Sequence, residues 1–375
     1  MATPWETRGK KRQNPLCLND SPQKKVLSLV LCVAVMLSVM VLGAGAAFSD
    51  QADIENTEAV DACSALNIIG GYEDGSFHPE RNIKRSEITK MICVALNGGK
   101  EPNVSTNAVP TFSDVRGTSA EWAEGYIEAC VAQGIVSGVG GGRFAPDGNV
   151  TGAQLAKMLL VSLGYNADNE KFVGDTWETN VNVRASQKGL YVGLESMDTS
   201  AAVTRDQAAQ MVWNALQAYE VEYKTSLVTD ANGNLVSQVV VQDKVVGTNF
   251  DKITLLYSKY EATIFEGTLV ATGEYNLSNI LGTNGNTDST NGFVIDVDRI
   301  NGVLVDRNNG EGNTAFEYKN HDLTDLMGQT VKALRNDKTG DVYSVYAVDG
   351  KNTVVSTVAS DVDYTGLAAN KVKID

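Results

Sequence analysis

DACSALNIIGGYEDGSFHPERNIKRSEITKMICVAL, residues 61–96, falls without a gap on EACVAQGIVSGVGGGRFAPDGNVTGAQLAKMLLVSL, residues 128–163, when the chain is shifted by 67 positions. Cys63 then meets Cys130, Gly71 meets Gly138, Phe77 meets Phe144, Pro79 meets Pro146 and Met91 meets Met158. FSD precedes both copies, at Phe48 and Phe112, with three more residues before the helix in the second. A third, weaker copy follows. ASQKGLYVG ends near Gly193, and VTRDQAAQMVWNAL from Val203 matches IKRSEITKMICVAL, setting Arg205 on Arg85. Self-similarity of this kind makes each copy one supersecondary unit stacked on its neighbours.

Each unit reads helix, glycine-rich turn, helix. In the first, Ile88, Met91, Ile92, Ala95 and Leu96 have the spacing of one buried helical face. Thr151 with Gln154, and Thr204 with Gln207, fit a capping box that starts the second helix of the later units. In the first unit Lys84 replaces the threonine while Glu87 keeps the place three residues on, where it caps its own helix.

The chain before the repeats reads as an export signal. KKVLSLVLCVAVMLSVMVLGAGAAFSD, from Lys24, sets two lysines before an apolar run from Val26 to about Leu42, then the small residues Ala44, Gly45 and Ala46. The alternative is an uncleaved anchor, since the run approaches the length of a membrane span. Removing the six basic and two acidic residues of positions 1–47 leaves 25 basic against 44 acidic, a net charge near −19. Such a surface repels nucleic acid and anionic membrane, so neither is an expected partner. An anionic partner requires a local basic pocket.

Cys17 and Cys32 leave with the signal, and Cys63, Cys93 and Cys130 remain. This odd count argues against a disulfide framework. Each remaining cysteine sits among apolar helix-patterned residues and reads as a buried small hydrophobe, with no zinc spacing.

These segments resemble S-layer homology repeats, whose pattern is Phe-x-Asp, Trp-Ala before a helix, Gly-Ile-x-x-Gly-Tyr-x-Asp-Gly-x-Phe-x-Pro, and Ile-Thr-Arg-Ala-Glu. The second unit carries FSDV (112–115), EWAEGYI (121–127) and GIVSGVGGGRFAP (134–146). The first carries GGYEDGSFHP (70–79) and IKRSE (83–87). The expected organisation is a signal peptide over 1–47, repeats over 48–98, 112–164 and, degenerate, 172–217, and a β-rich region over 218–375. The resemblance implies a multidomain chain whose mostly α-helical, pseudo-threefold domain holds the protein to the bacterial envelope, secreted and wall-bound. The implied partner is an anionic secondary wall polysaccharide, in one form pyruvylated. Self-association in a surface layer is a further expected contact.

Arg85 and Arg205 open their helices, where the dipole makes a cation unfavourable by about 0.3–1 kcal/mol. A sugar carboxylate supplies a reason for them, by taking backbone N–H bonds and a two-pronged guanidinium contact together. Lys84 adds charge beside Arg85. The alternative for both arginines is a structural tie to an acid such as Asp50 or Asp114. The second unit has Gly152 and Gln154 in the arginine and glutamate places, so its own groove is expected to be weak.

Gly71 and Gly138 serve a tight helix exit first, and close approach of a sugar second. Trp122 offers a sugar-stacking face or a core residue. Asp50 and Asp114 accept sugar hydroxyls or cap helices.

Beyond residue 218 the runs 235–241, 252–258, 262–271, 292–297, 302–307 and 341–348 read as strands, separated by Asn-Gly, Thr-Gly and Asp-Gly turn signals. One barrel or two sandwich-like modules are expected. DANGN, from Asp230, has its glycine at the fourth place where a calcium loop wants the sixth, and reads as a hairpin turn. The acids of 296–312 lack a regular spacing, which leaves weak calcium binding open.

With only His78 and His321 in the chain, a histidine metal cluster is excluded, and a catalytic triad has to use His321 without a nucleophile-elbow sequence. No catalytic residue, metal or cofactor is expected. The alternative is a wall-anchored enzyme such as a polysaccharide hydrolase, using a carboxylate pair in the β-rich region.

Overall fold

The computed structural model describes residues 48–102, 109–229, 231–248, 251–273, 277, 292–306, 312–318, 322–348, 350–352, 362–363 and 373–374. The export signal, His321, Asp230 and Glu311 lie outside them. Three helix pairs come first: α1 (Thr57–Ala65) with α2 (Arg85–Leu96), α3 (Glu124–Ala132) with α4 (Gly152–Ser162), and α5 (Trp177–Gln187) with α6 (Arg205–Gln217).

The capping boxes form as the sequence requires. Thr151 Oγ1 accepts from the Gln154 amide at 3.3 Å while Gln154 Oε1 accepts from the Thr151 amide at 3.1 Å. Thr204 and Gln207 repeat the exchange at 3.2 and 3.1 Å. In the first unit Glu87 Oε2 takes the Lys84 amide at 3.0 Å.

The first amides of each second helix, which have no partner within their own helix, find one in another unit. Arg85 and Ser86 donate to Gly148 and Pro146 of the second unit, Gly152 and Ala153 to Ala201 and Thr199 of the third, and Arg205 and Asp206 to Arg81 and Pro79 of the first. The three pairs of bonds form a closed cycle, each unit terminating a helix of its neighbour. One apolar core runs through all of them, from Ile54 and Phe77 to Phe144, Leu160 and Trp213.

The C-terminal part is β-rich. β1 (Val221–Thr229) and β2 (Leu235–Asp243) form a two-stranded ribbon, and β3 (Val245–Val246) pairs with β4 (Asp251–Lys252). A six-stranded antiparallel sheet runs β10 (Val342–Ala347), β9 (Thr330–Asn336), β5 (Ala262–Thr272), β6 (Gly292–Ile300), with β7 (Val303–Leu304) and β8 (Asn313–Glu317) both on the far edge of β6. The sheet is open, and no barrel closes among the described residues. Ala231–Asn234 make the β1–β2 turn, as read for DANGN.

One run read as a strand is a helix. Within 252–258, Thr254 caps α7 (Leu255–Tyr260), its Oγ1 accepting from the Tyr257 amide at 3.1 Å, and Leu255, Leu256 and Tyr260 are buried. The local alternation loses to the cap and to burial against the helical core, which Leu255 and Tyr260 join. The run 302–307 shortens to the two residues of β7. The six runs read as strands do not include β1, β3, β8 or β9. The helical and β-rich parts share one core, since Leu334 of β9 and Tyr346 of β10 belong to the same apolar cluster as the α1 residues. Lys332 also bonds Glu58 of α1.

Candidate functional site

Asp50 and Asp114 grip the same point of successive turns. Asp50 accepts from the amides of Phe77 and His78, both at 2.7 Å, and Asp114 from those of Phe144 and Ala145, both at 2.8 Å. Neither side chain caps a helix. Burial pushes both carboxyls up, but main-chain amide donors, these two foremost, act against it, and each is held below the ordinary value. Phe48 lies against Phe77 with ring centroids 5.3 Å apart, and Phe112 against Phe144 at 5.4 Å.

Those rings explain Gly71 and Gly138. A Cβ on Gly71 stands 3.0 Å from the Phe48 ring, and one on Gly138 stands 2.6 Å from the Phe112 ring and 2.8 Å from the Arg143 carbonyl oxygen. Neither glycine has a positive φ. Close approach of an aromatic ring, rather than a tight helix exit, is what needs glycine there.

The clamped turns carry the arginines. Arg85 donates from Nε to the Phe144 carbonyl at 2.9 Å and from Nη2 to the Ser137 carbonyl at 2.8 Å. Arg205 donates from Nε to Phe77 at 2.9 Å and from Nη2 to Gly70 at 3.3 Å. Their exposures are 9% and 7%. Each guanidinium also lies over the phenylalanine of its turn, at 4.5 Å for Arg85 and 4.8 Å for Arg205. Of the two readings of these arginines, the hydrogen bonds match a tie between units, with main-chain carbonyls in place of acids. Gly152 fills the corresponding place in the second unit, where a Cβ meets Thr199 Cα at 2.9 Å. Lys84 reaches Asp147 of the second unit at 2.7 Å.

A cleft of about 370 Å³ opens between the second and third units. Arg85, Ser137, Gly138, Gln154, Lys157 and Trp177 contribute to its wall. Lys157 Nζ lies 5.8 Å from the Trp177 ring centroid and makes no ion pair among the described residues. Burial lowers its pKa, with Asp168 countering in part. Its counterpart in the first unit, Lys90, is already engaged by Glu101 at 3.1 Å.

Lys157 and Trp177 were missed in the sequence. The signal was present, because Lys157 falls on Lys90 in the 67-residue shift and Trp177 opens its unit as Trp122 does. The second unit, expected to be weak, borders the cleft. Of the residues singled out beforehand, Arg85 and Gly138 line it, while Lys84, Arg205, Asp50, Asp114, Trp122 and Gly71 are not among its lining residues. Trp122 is 50% exposed, so it is not a core residue, and it meets Tyr126 edge-on.

A partly buried cation beside an indole ring suits a sugar ring that is apolar on its faces and anionic at its edge. Comparison with known proteins gives that chemistry a context. Residues 47–89 and 111–156 match the S-layer homology domain. The third unit lies outside these two matches.

The chain is 26% identical over 212 residues to the middle cell wall protein of Brevibacillus brevis, covering 54% of this chain and 19% of that protein. It is 26% identical over 243 residues to the surface layer protein of Brevibacillus choshinensis, covering 62% of this chain and 20% of that one. It is also 25% identical over 191 residues to exoglucanase XynX of Acetivibrio thermocellus, covering 47% of this chain and 17% of the enzyme. The chain thus spans about a fifth of the length of these relatives. The S-layer homology segments and the surface-protein relatives mark a secreted, wall-associated protein. No described helix is long and apolar enough to cross a membrane.

Proposed function

We propose that this chain attaches to the bacterial wall by holding an anionic secondary wall polysaccharide in the cleft between the second and third units. Lys157 carries the proposal, because it is a partly desolvated cation without an ion-pair partner among the described residues, set over Trp177. In this reading Lys157 neutralises a sugar carboxylate or ketal, Trp177 stacks on the ring, and Gln154 bonds its hydroxyls. A pyruvylated sugar offers both the charge and the apolar face. The arginines, Asp50 and Asp114 hold the wall of the cleft in place. Residues 172–217 are a third, degenerate repeat, which makes the helical part pseudo-threefold.

The β-rich region from 218 is a structural module without catalysis, serving attachment and contact between copies. The exoglucanase relative supports a second reading, an anchored hydrolase. Release of reducing ends from wall or plant polysaccharides by the full chain would establish that reading and remove the non-catalytic one.

The attachment is tested by sedimenting the full chain with purified wall sacculi before and after the polysaccharide is stripped. Binding is expected to vanish on stripping, and Lys157→Ala and Trp177→Ala are each expected to weaken it by about tenfold or more. Binding that survives stripping, or both variants at full strength, refutes the proposal.

A further inference from the structure

β1 and β2 pair in unbroken register from Val221↔Asp243 to Thr229↔Leu235, and no other described strand joins either. The inner end is anchored. The Val221 amide donates to Leu163 at 2.8 Å, and the Tyr223 hydroxyl takes the Asn166 amide at 3.0 Å and reaches Glu170 at 2.9 Å. The outer part stands in solvent. The register puts Leu227, Leu235 and Val239 on one face, at 72%, 72% and 58% exposure, and Val228, Val236 and Val240 on the other.

A two-stranded ribbon is marginal alone in water, and open edges usually carry Lys, Pro or a bulge against pairing with another chain. The β2 edge, from Leu235 to Gln242, has none of these. Positions 225–229 and 235–242 contain no charged residue, in a chain with 21% charged residues and a strong acidic excess.

That charge pattern selects the occupant. A basic partner is drawn to the acidic surface elsewhere, whereas two copies of this acidic chain meet with least repulsion where the charge is missing. Between the two edges, β1 carries Glu222 and Lys224 and is fixed to the helical core, while β2 is neutral and valine-rich up to Gln242.

We propose that β2 pairs antiparallel with β2 of a second copy about a two-fold axis, giving one continuous four-stranded sheet. An antiparallel strand is self-complementary under such an axis, so one surface serves both partners. The Leu227, Leu235 and Val239 stripe then extends across both copies as a shared apolar face. This deepens the reading of the β-rich region as a module for contact between copies. It is independent of the cleft, whose test reads wall binding alone.

The test uses the full chain. Sedimentation velocity across a concentration series is expected to show monomer passing to dimer, with Val239→Lys raising the dissociation constant by about tenfold or more. Single cysteines placed in turn at Ser237, Gln238 and Val239 are expected to give a disulfide-linked dimer on mild oxidation. Ser226→Cys is not, because the two β1 strands stand about 14 Å apart, three strand spacings, beyond the roughly 7 Å Cα separation a disulfide spans. Near-UV circular dichroism and wall sedimentation report folding of each variant. A monomer at every concentration, a dimer indifferent to Val239→Lys in a folded variant, or cross-linking through Ser226→Cys as efficient as through β2 overturns the proposal.

Discussion

Arg205 bonds the carbonyl oxygen of Phe77 from Nε at 2.9 Å across 128 residues of chain, and the amide of the same Phe77 is held by Asp50 at 2.7 Å. Arg85, Phe144 and Asp114 repeat the arrangement one unit on. Each turn is therefore clamped on both sides of one residue by side chains that the sequence suggested as glycan contacts. Arg85→Ala and Arg205→Ala each leave two main-chain carbonyls of a neighbouring unit without their donor. Each is expected to destabilise the chain by about 3 kcal/mol, measured by urea unfolding, and lysine at either position should recover only part of the loss. An alanine variant of wild-type stability means the tie is not structural.

Gly138→Ala drives a methyl into the Phe112 ring and the Arg143 carbonyl, whereas Gly70→Ala meets nothing within 4 Å and strains no positive φ. The first is expected to cost about 1–3 kcal/mol by overpacking, the second less than about 0.5 kcal/mol. Thermal unfolding of the pair checks the contrast.

Asp50 and Asp114 have folded-state pKa values below the ordinary one, because the amide bonds outweigh burial. A depressed carboxyl contributes stability above its unfolded pKa, about 3.9, and loses it as pH falls through the lower folded value. The melting temperature is expected to drop steeply below about pH 4. The slope should be shallower in Asp114→Asn, at a lower starting stability. An identical slope in that variant assigns the acid sensitivity elsewhere.

Attachment through Lys157 to an anionic sugar is expected to weaken with salt, as partly exposed charge pairs do. Lys157→Gln should flatten that dependence. Salt-independent binding would point to stacking on Trp177 and neutral hydrogen bonds instead.

Cys63, Cys93 and Cys130 are buried and free, and burial pushes the Cys63 thiol well above its ordinary range. The native chain is expected to resist alkylation while the urea-unfolded chain reacts at all three. Rapid modification of the native protein would show that the core opens locally.

The helix pairs were legible because their signals are local. A cap threonine, its glutamine three residues on and an apolar face at helical spacing all lie within about four turns of chain, and the repeat multiplied them. The strands β2, β5, β6 and β10 were legible by alternation for the same reason. β9 was not, since TVKALRN mixes helix and strand formers and becomes a strand only beside β5. KITLLYS failed in the opposite sense, its alternation overridden by the Thr254 cap and by a core that only the fold supplies.

The sequence by itself determined that repeated helix-turn-helix units, two of them matching the S-layer homology domain, precede a β-rich region, which residues start their helices, and that the body of the chain is strongly acidic. Tertiary structure decided what the marked residues touch. The arginines bond main-chain carbonyls 52 to 135 positions away, and a carbonyl has no sequence signature because every residue carries one. The cleft of Lys157 and Trp177 exists only where two units meet, so its residues gain their meaning from packing rather than from their neighbours in the chain.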